Sequence, residues 1–104
     1  MNNQISNPKT PVSTGKELND KDYINCLLST LKEMTKNYSL ALTEASNEVL
    51  YQKYKNIFDE VSQLQREVFE LAFRNGWYTL EQAESQKVSN KFNTLNQEYQ
   101  DLNL

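Results

Sequence analysis

Residues 47–78 constrain this chain to a helical architecture. Leu50, Tyr54, Ile57, Val61, Leu64, Val68 and Leu71 recur there in alternating steps of four and three. That spacing is an unbroken a/d seam on one face of a helix. Tyr51, Phe58 and Ala72 sit one position further on, so the apolar stripe is wider than a two-stranded seam needs. A helix with such a stripe requires more than one neighbour. Asn75-Gly76 ends it, since glycine takes the left-handed conformation without a Cβ clash. Trp77 and Tyr78 follow at once, positioned to fold back onto the last turn near Leu71 and Phe73.

A second seam precedes the first. Ile24, Leu27, Leu31, Met34, Tyr38, Ala41 and Ala45 keep the same alternation, widened by Leu28, Thr35 and Leu42. A helix start at Asn19 or Asp20 places Asp20 and Asp22 in the positive first turn. The break at Ala45-Ser46-Asn47 is short enough to require adjacent antiparallel helices. Ser46 is the expected N-cap of the second helix, with Glu48 in its first turn. A third helix is expected from Thr79, where Thr79 and Gln82 match a capping box. Val88, Phe92, Leu95, Tyr99 and Leu102 supply its seam, while its entry between Ala83 and Val88 is polar. Residues 1–16 carry Pro8, Pro11 and Gly15 and no periodicity, and read as a disordered N-terminal arm before a helical domain over residues 17–104. Both prolines fall in that arm and only two glycines occur, too few turn residues for a sheet-rich fold.

The residue inventory removes several chemistries. No histidine is present, which excludes Ser-His and Cys-His catalysis and every imidazole zinc site. The single cysteine, Cys26, cannot form an intrachain disulfide, and no base is available to make it a nucleophile. Glu67 and Glu70 lie three apart beside Glu60, opposite Glu33 or Glu44, a spacing used in carboxylate-bridged bundles. Without histidine to complete that pattern they read as solvated charges flanking the seam, and no metal or other cofactor is expected. Net charge of −3 argues against nucleic acid as partner. No apolar run approaches the ~20 residues of a membrane span, so no membrane insertion is expected and synthesis is read as cytosolic. Gly76-Trp77-Tyr78 reads as a structural stop in preference to an aromatic binding platform.

Several segments together resemble a known family. The run from Asp20 to Ser29, then Tyr38 through Ala45-Ser46, then Phe69-Glu70-Leu71 and Gly76-Trp77-Tyr78 with Glu81 are similar to the coat F domain, the spore coat protein F-like family of endospore-forming Firmicutes. The resemblance spans about residues 19 to 84. It implies a ferritin-like helical bundle, residence in the proteinaceous spore coat after synthesis in the cytoplasm, and no catalytic activity. Val61-Ser62 stand where many members carry a Glu-His pair, so no metal role is carried over.

The resulting expectation is an all-α, ferritin-like helical bundle: a long antiparallel hairpin and a third helix, completed by dimerisation. Function follows as a non-enzymatic structural protein of the spore coat or its precursor layers, whose partners are itself and other coat proteins. The alternatives are a degenerate ferritin-like metal-binding protein and a cytosolic helical adaptor. The apolar residues outside the seams, Leu28, Leu42, Tyr51, Phe58 and Phe69, are the expected oligomer interface. Contiguous apolar patches of several hundred Å² seldom stay exposed on monomers.

Overall fold

A computed structural model describes residues 3–102. Its elements are β1 (Gln4–Ile5), α1 (Asp20–Glu44), α2 (Glu48–Arg74), β2 (Leu80–Glu81) and α3 (Ser85–Asp101). The chain divides into two compact units, one spanning residues 6–79 and one made of the β1–β2 ribbon and α3. The fold is all-α in character, with one two-residue antiparallel ribbon.

The larger unit is the antiparallel hairpin of α1 and α2. Asn19 opens α1 with a capping box: its side chain accepts from Asp22 N–H at 2.9 Å, and Asp22 Oδ2 accepts from Asn19 N–H at 3.1 Å. Reciprocal satisfaction of two end donors fixes where this helix begins. α2 is capped by Asn47, whose Oδ1 accepts from Val49 and Leu50 N–H at 2.9 and 3.1 Å. The expected Ser46 cap is therefore displaced by one residue. Asparagine caps as well as serine does, and the shift brings Glu48 to the first helical position.

The hairpin buries a different strip from the one the a/d pattern marks. Its core is Leu28, Leu31, Val68 and Ala72, with Ile24, Val61, Phe69 and Tyr78 packed against it. Leu28 is 3% exposed while its neighbour Leu27 is 42% exposed; Ala72 is fully buried while Leu71 is exposed. The contact is thus rotated one position toward the side bearing Leu28 and Ala72. Ala72 has only a methyl group, so α1 can approach α2 closely there. Phe69 and Tyr78 then cover the same side, edge to face at 5.2 Å.

In the smaller unit, Gln4 pairs with Glu81 and Ile5 with Leu80, and Gln82 N–H donates to Asn3 C=O at 2.6 Å. This ladder corrects the expected helix start at Thr79. Backbone bonding holds Leu80–Glu81 extended, and α3 begins at Ser85 after Glu84, which makes no side-chain cap bond. Val88, Phe92, Leu95 and Tyr99 of α3 and its C-cap Leu102 are all exposed.

Candidate assembly surface

Two features of the hairpin carry the candidate function: the terminator of α2 and the apolar face the helices leave open. At the terminator, Gly76 has φ 72°, in the left-handed region. Gly76 N–H bonds Phe73 C=O at 3.1 Å and Trp77 N–H bonds Ala72 C=O at 2.9 Å. These are the paired bonds of a Schellman end, which only a residue tolerant of positive φ closes without strain.

The glycine has a second role. A Cβ built on it would lie 2.5 Å from Asn7 O, 2.6 Å from Pro8 O and 2.7 Å from Lys9 Cα. The segment before α1 crosses directly over this residue. Asn7 Nδ2 donates to Phe73 O and Thr10 N–H to Asn75 O, both at 2.8 Å, and Thr10 Oγ1 bonds Asn75 Oδ1 at 2.8 Å. Trp77 Nε1 donates to Thr10 O at 3.1 Å. Part of the stretch read as a disordered arm is thus laid against the end of α2. It adds a second donor to the Phe73 carbonyl, already bonded by Gly76 N–H, and a donor to the Asn75 carbonyl beyond the helix end. Polar bonds and not apolar burial hold it, which is why no hydrophobic pattern marks it.

Trp77 and Tyr78 divide the labour at this end. Tyr78, not Trp77, packs against the hairpin core, and its hydroxyl accepts from Lys32 Nζ at 2.9 Å. Trp77 is half-buried and lines a shallow groove with Tyr23, Ile24 and Leu71.

The residues expected at an oligomer interface are placed on the more covered side. Leu28 belongs to the hairpin core. Phe69 is engaged within the chain by Phe73, Tyr78 and Arg66. Leu42, Tyr51 and Phe58 are half-buried. The open strip lies on the opposite flank, formed by Leu27 and Met34 of α1 and by Leu50, Ile57, Leu64 and Leu71 of α2. Each set repeats every seven residues. Grooves shared by both helices lie at the two ends of this strip: Tyr23 and Ile24 meet Leu71 and Trp77 at one, Ala41 and Ala45 meet Leu50 and Tyr54 at the other.

Glu67 and Glu70 of α2 are engaged locally. Glu67 accepts from Gln63 Nε2 at 3.3 Å, and Glu70 pairs with Arg66 at 3.0 Å on the surface. No group of three or more metal-capable side chains occurs among the described residues. Cys26 is exposed. No helix among the described residues is long and apolar enough to cross a membrane.

Comparison with known proteins places this geometry in a family. The Coat F domain model matches residues 19–81, from the capping asparagine of α1 through the terminator to β2. The chain is 46% identical over 100 residues to YusN of Bacillus subtilis (strain 168), described as an uncharacterized protein, covering 96% of this chain and 91% of that one. No solved structure matches significantly. The hairpin with its Gly-Trp-Tyr end is the matched region, and the chain belongs to the Coat F domain family.

Proposed function

We propose that this protein is a non-enzymatic structural component of the bacterial spore coat or its precursor layers, acting by self-association of its helical faces. The observation that carries the reading is the Coat F domain match, which covers the whole hairpin. The open apolar strip supports the mechanism, because a regular seven-residue ridge gives a further helix a surface to pack against. In this reading the hairpin is half of a ferritin-like four-helix bundle, and a second hairpin completes it. Other coat proteins dock on the assembled unit. The test is to follow an epitope-tagged chain through sporulation in its native host. The tag is expected in the washed coat fraction of mature spores. A tag that stays in the cytoplasm and never enters that fraction would overturn the reading.

A further inference from the structure

We infer that the leucine-rich strip of Leu27, Met34, Leu50, Ile57, Leu64 and Leu71 is a two-fold interface that takes a second copy of this hairpin, α2 of one protomer lying against α1 of its partner. The inference rests on the self-association proposed above and assigns it to one face.

Three observations select this occupant. The first is exposure: Leu64 is 45% exposed and Leu50 42%, while Gln65 and Tyr51, one position along, are half-buried. The seven-residue spacing on both helices fits a partner helix running nearly along the same axis, because only then does each turn of one meet each turn of the other. The second is size. α2 has 27 residues, which gives a length of about 40 Å, and two helices side by side present a width of about 20 Å. The face therefore offers on the order of 800 Å², the area each partner contributes to a standard stable interface. α1 and α2 are of similar length and antiparallel, so a two-fold axis brings the strip onto itself along its full extent.

The third is charge. The positions flanking the strip on α1 are Tyr23, Thr30, Asn37 and Glu44, all exposed and uncharged except for Glu44 at the helix end. Those flanking it on α2 are Lys53, Glu60, Glu67 and Arg74, exposed and of both signs. Laying α2 against the partner's α1 sets each charged edge beside one that is uncharged except for Glu44 at its end. Pairing α2 with α2 would set these charged edges against each other.

Sedimentation equilibrium of the full chain, from 1 to 100 µM on the order of a protein dimer's working range, tests the inference. The wild type is expected to reach twice the chain mass. Leu64→Glu is expected to weaken the dimer by roughly 100-fold or more, since an unpaired carboxylate is costly to bury. Phe92→Glu, which alters the exposed seam of α3, is expected to leave it unchanged. Circular dichroism establishes that each variant keeps its helices. A second readout needs no variant: peroxide oxidation of Met34 is expected to slow as wild-type concentration rises. A dimer kept by Leu64→Glu but lost in Phe92→Glu assigns the contact to α3 and overturns this face while leaving self-association standing. A wild type that stays monomeric, with Met34 oxidised at one rate throughout, overturns both.

Discussion

Gly76 shows how two constraints fall on one residue. Its positive φ costs a β-branched side chain about 1–2 kcal/mol, and contact with the backbone of residues 7–9 adds about as much again. Gly76→Val should therefore lose about 3 kcal/mol, read as a drop in Tm of roughly 10 °C or more. Gly15 also has positive φ but open space around it, so Gly15→Ala carries the backbone term without the clash and should cost less. Core and strip residues separate in the same way. Leu28→Ala should cost about 3 kcal/mol in urea unfolding at submicromolar protein, because it leaves a cavity between helices. Leu64→Ala should cost under about 1 kcal/mol in the same dilute sample, where its side chain stays largely in water. The positive φ at Gly76 was legible in the sequence, because an Asn-Gly following an apolar-periodic helix has one common use. The close approach of residues 7–9 was not, since nothing in a polar, proline-bearing stretch encodes which backbone it crosses.

Helix existence followed directly from periodicity, and helix facing did not. The alternation in α1 and α2 specifies two amphipathic rods, and the three-residue break specifies their antiparallel pairing. A stripe this wide, though, contains two candidate contact strips, one centred on Leu28 and Ala72 and one on Leu27 and Leu71. Which of them closes the hairpin depends on the close approach at Ala72 and the placement of Tyr78 over Phe69, both tertiary matters. Periodicity alone therefore could not say which flank the hairpin leaves open. Helix boundaries show a similar limit: Ser46 and Asn47 are equally able caps, and local sequence does not choose between them. Asn47→Ala and Asn19→Ala should each cost about 1 kcal/mol in thermal unfolding, and Ser46→Ala a few tenths at most. At the other end of α2, removing residues 1–12 should unmask the Asn75 carbonyl and leave the Phe73 carbonyl with Gly76 N–H alone. Hydrogen exchange is expected to accelerate over the last two turns of α2 and to stay unchanged at its start. Uniform exchange along α2 in both chains would show that the crossing segment contributes nothing to the terminator.

For the whole molecule, the matched region and the hairpin coincide, so family membership attaches to a folded unit with an identifiable open face. The all-α character was legible in the residues, and the family in the Gly-Trp-Tyr end within its helical context. The partner of the open face was not legible, because a heptad of leucines specifies a helix as neighbour and leaves its owner unstated. These points meet in the proposal that the chain enters the coat by associating through the strip around Leu64. Its most direct measurement compares wild type and Leu64→Glu, expressed at equal level during sporulation, by quantifying each in washed spore coats. Wild type is expected in the coat fraction and the folded variant is expected to be strongly depleted from it. Equal recovery of the two would contradict assembly through this face.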